Sequence, residues 1–287
     1  MRRGAIVETC KLIVHADDFG ISEQVNSGIL EAHNHGILTS TSIMATGAAF
    51  EHAVAMCRTA PTLDVGIHLT LVGERSLVSK ELIPSLLDTD GRFYNHATAF
   101  TKRYSVGKIR IVEVVRELEA QIQKVLDHGL AVSHLDSHQH VHMLPDIWRA
   151  VVELAKKYHI PAVRLAREKL RAYMLQEIGV VTRIAPLIVL NLLAGLRDGS
   201  GVRSTDHFVG FFFGGNMVKT NLKTVLQNLP AFGTCELMCH PGHGDAGRHY
   251  RHWHYNWTSE LAALVDPEIR DLLGRRGVKL ISYRDLG

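Results

Sequence analysis

Histidine and aspartate gather at four points in this chain, each at the end of an apolar, strand-like run. Asp17-Asp18 follows Leu12–Ala16, and His68 lies near the end of Asp64–Leu71. Asp136 and Ser137 close Ser133–Ser137 and hand on to His138, and His240 ends Cys235–His240. Imidazole is both the commonest metal ligand and the commonest proton carrier near neutral pH. Two imidazoles and one carboxylate, with positions left for water, make a hydrolytic metal site. A spare carboxylate and a spare imidazole beside it would supply a base and an acid. There are 18 histidines against 32 lysines and arginines, so number alone does not separate a ligand from a surface residue; placement must.

Each point also has a plainer explanation. Paired aspartates after a strand are more often a turn or a helix cap. His68 in Gly-Ile-His-Leu-Thr could be an ordinary hydrogen-bonded strand residue. His138, His140 and His142 alternate, so in a strand they would share one face and form a solvated polar edge. His240-Pro241-Gly242-His243-Gly244-Asp245 could be only a turn. Four such accidents all falling at strand ends are harder to accept than one.

The elements that must position these residues alternate β with α. After the first strand, Ser22 caps a helix to His35 that Gly36 closes. Strand Ser40–Ala45, an Ala-rich helix from 48 to 58 and strand Asp64–Leu71 follow. A long Gly- and Pro-punctuated stretch, Val72 to Gly107, reads as a loop over the strand ends. Val112, Val115, Leu118, Ile122, Val125 and Leu126 mark an amphipathic helix ended by Gly129. Helix Asp146–His159, strand Ala162–Ala166 and a mostly helical, very apolar region from Glu168 to Leu196 come next, then strands at His207–Phe213, Cys235–His240 and Val278–Tyr283. Repeated βα units with polar strand ends predict an α/β fold: a single-domain distorted (β/α) barrel of about seven or eight mostly parallel strands, whose carboxyl ends converge on one face.

Composition narrows the class. The chain of 287 residues is 46% hydrophobic and 21% charged, with a formal net charge of +3 and no dense basic block, which gives nucleic-acid binding little support. Cys10, Cys57, Cys235 and Cys239 contain no CxxC pair and read as reduced, buried thiols, which fits the cytoplasm. Arg2 and Arg3 run on to Glu8 and Lys11 without a long apolar stretch, against a secretory signal. Ile184–Leu196 is strongly apolar but shorter than the roughly 20 residues a membrane span needs. It reads as a buried barrel helix or as a flap touching lipid at the inner face of the membrane.

The strings themselves resemble a known family. Ile13-Val14-His15-Ala16-Asp17-Asp18-Phe19-Gly20-Ile21-Ser22, Val25-Asn26-Ser27-Gly28-Ile29 and Gly36-Ile37-Leu38-Thr39-Ser40-Thr41-Ser42 look like the opening of the YdjC-like carbohydrate deacetylases. Val65-Gly66-Ile67-His68-Leu69, His134-Leu135-Asp136-Ser137-His138-Gln139-His140-Val141-His142 and Glu236-Leu237-Met238-Cys239-His240-Pro241-Gly242 follow in the family's order. The resemblance implies hydrolysis of an N-acetyl group on an amino sugar, with one divalent metal ion, magnesium or zinc, held by Asp18, His68 and His138. Where the family reads Leu-Thr-Glu-Gly-x-Pro-Leu, this chain reads Leu71-Val72-Gly73-Glu74-Arg75-Ser76-Leu77. That loop and the Trp253/Trp257 segment look more like the hopanoid-biosynthesis-associated branch, which implies an N-acetylglucosaminyl hopanoid lipid in place of a chito-oligosaccharide.

Amide hydrolysis on such a site needs a base for water and an acid for the leaving amine. Asp17 is the expected base, because its neighbour Asp18 is taken by the metal, and His240 the expected acid. Asp136 and one of His140 or His142 are expected to orient the ligand imidazoles, with Asp245 turned toward His240. Trp253, Tyr255 and Trp257 could stack on sugar rings. Two rivals remain: another metal hydrolase such as a phosphodiesterase, drawing on His140, His142 and His243 for a second metal, and a non-enzymatic glycan or lipid binder.

Overall fold

A computed structural model describes residues 9–176, 180–195, 201–244, 250 and 253–286. Its strands are β1 (Cys10–Phe19), β2 (Ser40–Ile43), β3 (Asp64–Leu69), β4 (Val132–Ser137), β5 (Ala162–Val163), β6 (His207–Val209), β7 (Gly233–Cys239) and β8 (Lys279–Leu280). Its α-helices are α1 (Glu23–His35), α2 (Phe50–Thr59), α3 (Ala97–Ser105), α4 (Ile111–Asp127), α5 (Pro145–Lys157), α6 (Val180–Gly195), α7 (Lys219–Gln227), α8 (Trp257–Val265) and α9 (Pro267–Arg275). Seven strands curl in the order β5-β4-β3-β2-β1-β7-β6, and every described pairing between them is parallel. β8 pairs with Lys11 and Leu12, at the start of β1. The open side between β5 and β6 is spanned by a parallel bridge from Ala162 to Arg203. The architecture is a distorted (β/α) barrel, as the strand-ending polar residues require.

Side chains alternate across each strand, so every second residue faces the barrel interior. Along β1, Leu12, Val14 and Ala16 join the large core beneath the helices, whereas Ile13 packs in a separate small cluster with Ala162, Ile281 and Tyr283. Above that apolar floor the inward residues turn polar: His15 and Asp17 from β1, His134 and Asp136 from β4, His68 from β3, Glu236 from β7 and Arg164 just past β5, all buried. Gly66 makes room for this layer, since a Cβ there would sit 2.4 Å from the His134 ring.

Several boundaries differ from the sequence expectation for local reasons. Ser22 does cap α1, its Oγ accepting from the Val25 amide. Gly36 follows α1 but with φ −109°, so no left-handed turn requires glycine; a Cβ would instead strike the Leu264 carbonyl oxygen at 2.5 Å. The stretch from Val72 to Gly107 is not loop throughout, because it contains α3. The α3 N-terminus has no local cap. Gln139 Oε1, 42 residues on, accepts from the Ala97 amide at 2.8 Å, a signal that local sequence cannot carry. Glu113, Glu117 and Gln121 on α4 pin the rest of the excursion by its backbone at Thr70, Leu77, Val78 and Ser85. His138, His140 and His142 do not share a strand face: β4 stops at Ser137, Gln139 and His140 adopt φ of 51° and 54°, and the chain turns through His138–Met143. The four cysteines are free thiols, three buried and Cys57 half-buried.

Gly28 on α1 tests how tightly the strand-end loops are seated, because a Cβ there would lie 2.5 Å from the Gly242 backbone, two residues beyond His240. Helix propensity alone would make Gly28→Ala stabilising by up to about 1 kcal/mol. Overpacking predicts the opposite sign, a loss of about 1–3 kcal/mol, read as a lower urea midpoint.

Candidate active site

Two backbone irregularities build the site. β1 pairs with β2 as Ala16↔Thr41 and then Phe19↔Ile43, so an extra residue bulges at Asp17-Asp18, and Asp18 takes φ +66°. In a regular strand these neighbours would point to opposite faces. Here both carboxylates reach the carboxyl end of the barrel, and aspartate is among the few non-glycine residues that tolerate this conformation. The second irregularity is the left-handed turn after Ser137, which swings His138 inward toward β1.

Asp18, His68 and His138 meet: their ligand atoms all lie within 4.8 Å of one another. Asp18 Oδ1 is 3.3 Å from His68 Nε2 and 3.0 Å from His138 Nδ1. All three are buried, and Asp18 Oδ2 and His68 Nε2 have no hydrogen-bond partner. A buried polar atom without a partner costs about 1–3 kcal/mol, so unmet lone pairs facing one point fit a cation there. Burial alone would raise the Asp18 carboxyl, but the His138 and His68 rings outweigh it and hold it well below the usual range. Burial likewise disfavours a charged His68, yet Asp136 and Asp17 overcome this and push its pKa up to about 10. The pocket attracts positive charge.

Two other groupings have suitable ligand atoms: His15-His134-Asp136 and Asp17-His68-Asp136. In both, most of the ligand atoms already hold a side-chain partner. His15 and His134 bond each other through Nε2 at 2.8 Å, and Asp136 gives Oδ1 to His68 Nδ1 and Oδ2 to Ser42 Oγ and Arg164. A guanidinium already supplies the positive charge at both.

Arg164 is the residue that sequence reasoning missed. Fully buried, it donates from Nε to Glu236 Oε1 (2.9 Å) and from Nη1 to Asp17 Oδ2 (2.9 Å) and Asp136 Oδ2 (2.8 Å). Nη2 reaches Asp17 Oδ1 (2.7 Å), Glu236 Oε1 (2.7 Å) and His15 Nδ1 (2.8 Å). Burial works against the Asp17 carboxylate, but Arg164 first, then His68 and His15, keep its pKa well below the ordinary value. A signal for Arg164 did exist: it interrupts an apolar β run, Ala162–Ala166, as Glu236 interrupts Cys235–Cys239. Charges so placed are rarely buried unless paired.

The remaining expected residues separate. Asp136 holds His68 Nδ1 at 2.8 Å, fixing the ring so that Nε2 faces Asp18. His142 bonds Ser137 Oγ and the Arg164 carbonyl, not a ligand imidazole, and burial brings its pKa down to about 4. His140 packs between Phe208 and Phe211 with Nδ1 unpartnered. His243 pairs with Glu31 in a half-exposed ion pair away from the cluster. Asp245 lies outside the described residues; the carboxylate nearest His240 among them is Glu260, whose Oε2 is 3.9 Å from Nδ1 and accepts the His240 amide at 2.5 Å.

Asp17, His138, His140 and His240 together line a cavity of about 870 Å³ that continues between α3 and α6. Tyr255 lines it with its ring against His240 (4.5 Å between centroids), and Trp253 packs against His138 (4.6 Å). The far wall is apolar, formed by Ala185, Pro186, Val189, Leu190 and Leu193 of α6 with Phe211.

Residues 11–275 match the family described as YdjC-like protein. A carbohydrate deacetylase of Brevibacillus brevis is 34% identical over 288 residues, covering 96% of this chain and 100% of that protein. A chitooligosaccharide deacetylase of Yersinia enterocolitica is 32% identical, covering 96% and 98%. The crystal structure of an Enterococcus faecalis protein named for cellobiose-phosphate cleavage superposes with a TM-score of 0.75 at 28% identity, covering 97% of this chain and 99% of that one.

Removing Arg164 would strand three buried carboxylates. Arg164→Ala is expected to lose about 3–5 kcal/mol of stability, measured by urea unfolding. Lysine brings the charge without the fork, so Arg164→Lys should recover only part of the loss.

Proposed function

The chain belongs to the YdjC-like family, and from that premise we propose that it is a hydrolase removing the acetyl group from the nitrogen of an N-acetylated amino sugar, with one divalent ion held by Asp18, His68 and His138. The observation that carries this reading is the buried cluster of Asp18, His68 and His138, whose ligand atoms lie within 4.8 Å of one another while Asp18 Oδ2 and His68 Nε2 have no hydrogen-bond partner. Two imidazole nitrogens and a carboxylate are a donor set that zinc favours, while magnesium would draw more of its shell from water. When bound, the ion supplies Lewis acidity, acidifying a water and polarising the amide carbonyl.

The rest is done by side chains. A carboxylate offers about four acceptor positions, and Arg164 occupies one on Asp17 Oδ1 and one on Oδ2. The remaining Oδ2 position is open to accept the proton of the attacking water, and Arg164 keeps Asp17 ionised to do so. Water oxygen bonds to the acetyl carbon, the C–N bond breaks, and His240 delivers a proton to the departing nitrogen, leaving acetate and a free amine. Asp136 fixes His68, and Arg164 ties Asp136 to Asp17, so ligand and base are aligned through one guanidinium.

The shape of the cavity supports a finer reading. The Tyr255 ring in its lining suits the face of a sugar ring, and its apolar wall on α6 suits a lipid part, which favours the N-acetylglucosaminyl hopanoid met at a membrane surface. A linear chitooligosaccharide is the second reading, favoured by the Yersinia relative's name. Acetate release from the two substrates, compared side by side, separates them.

Asp17→Asn should keep its metal and lose acetate release by about 10²–10⁴-fold. Wild-type turnover in that variant would remove Asp17 from the mechanism. His68→Ala should lower the bound metal per chain by elemental analysis, and an unchanged ratio would take His68 off the ligand set.

A further inference from the structure

We propose that α6, with Leu170 and Leu175 before it, docks this protein on an anionic membrane surface. Helix α6 has 16 residues, and no helix among the described residues is long and apolar enough to cross a membrane. From Ile184 to Gly195 it carries a single polar side chain, Asn191, which turns inward to the Glu168 carbonyl at 2.7 Å. Leu187, Leu190 and Ala194 face the protein. The outer face therefore offers only apolar groups, with Ile188, Val189 and Leu192 at 44%, 55% and 68% exposure. Leu170 and Leu175 extend it, so half of the ten large apolar side chains exposed among the described residues fall between 170 and 192. A concentration of that kind marks a surface that meets something apolar.

Charge identifies the partner. From Leu165 to Thr205 the sequence carries six basic residues, Arg167, Lys169, Arg171, Arg183, Arg197 and Arg203, against three acids, Glu168, Glu177 and Asp198, of which Glu168 is buried. Across the cavity mouth, α3 and the turn after it carry Lys102, Arg103, Lys108 and Arg110 with no acid. An apolar face flanked mainly by cations is the pattern of elements that lie in the headgroup layer of anionic bilayers. A second copy of this chain packed face to face would set those cations against one another, so self-association fits less well. The cavity runs between α3 and α6, so a docked protein would open its site toward the bilayer. This deepens the deacetylase reading by naming where the substrate is met, yet it uses residues outside the metal cluster.

The test is cosedimentation of the whole chain with vesicles of phosphatidylcholine alone or mixed with phosphatidylglycerol, alongside acetate release from a soluble N-acetylglucosamine oligomer. Binding to the anionic vesicles should exceed that to neutral ones by roughly tenfold and fall at high salt. Ile188→Asp with Leu192→Asp should abolish binding without changing thermal unfolding or acetate release. Lys102→Glu with Lys169→Glu should erase the anionic preference. Wild-type protein left in the supernatant with both vesicles overturns the proposal. So does undiminished binding by the Asp variant, or a wild-type dimer in the ultracentrifuge that this variant renders monomeric. Vesicle binding without any acetate release would sink the deacetylase reading alone.

Discussion

The interior of this barrel is organised around one buried guanidinium. Taking an arginine out of water is costly and is repaid only when every donor finds a partner. Arg164 meets that condition by gathering Asp17, Asp136 and Glu236, together with His15. Those contacts fix the heights and angles of residues from three strands. The polar layer at mid-barrel is thus a consequence of the pairing, and the carboxylates held there outnumber the guanidinium. Their excess negative charge is felt at the strand ends, where Asp136 and Asp17 raise the pKa of His68 beside Asp18 and His138. A cation is the natural complement to that charge.

Adjacent residues with different duties need a break in strand geometry. The bulge and left-handed φ at Asp17-Asp18 let one carboxylate stay in the Arg164 network while its neighbour turns to two imidazoles. The matching break after Ser137 sends His138 toward β1 and leaves His140 and His142 in separate surroundings. Strain of this type is kept only where surrounding contacts over-determine it. Here they do: His142 bonds Ser137 and the Arg164 carbonyl, locking the turn from its far side.

The same turn reaches outward to the substrate side. Gln139, next to His138, supplies the missing cap of α3, and α3 forms one flank of the cavity whose other flank is α6. Ligand geometry and the cavity wall therefore share a structural support. On the opposite side, the loop after His240 lies against α1 at Gly28, with no room for a side chain between them. The Asp18-His68-His138 cluster, His240 and the cavity wall are joined by backbone contacts more than by surface ion pairs, which contribute little.

Much of this was legible in the chain itself. Hydrophobic periodicity placed most of the βα units, because strands and amphipathic helices leave different spacings. The polar residues ending β1, β3, β4 and β7 pointed to one face, since parallel strands share a direction. What local sequence could not show was anything set by partners far along the chain. Helix α3 has its cap 42 residues away. Glycine at position 36 answers to a carbonyl from residue 264. The roles of Arg164, Glu236 and Glu260 depend on pairings across 20 to 147 positions. The alternating histidines 138, 140 and 142 looked equivalent until the turn separated them. Sequence alone determined which residue types stand at the strand ends. Only the curled sheet decided which of them share a charge, because a buried charge takes its partner from whatever strand the fold brings beside it.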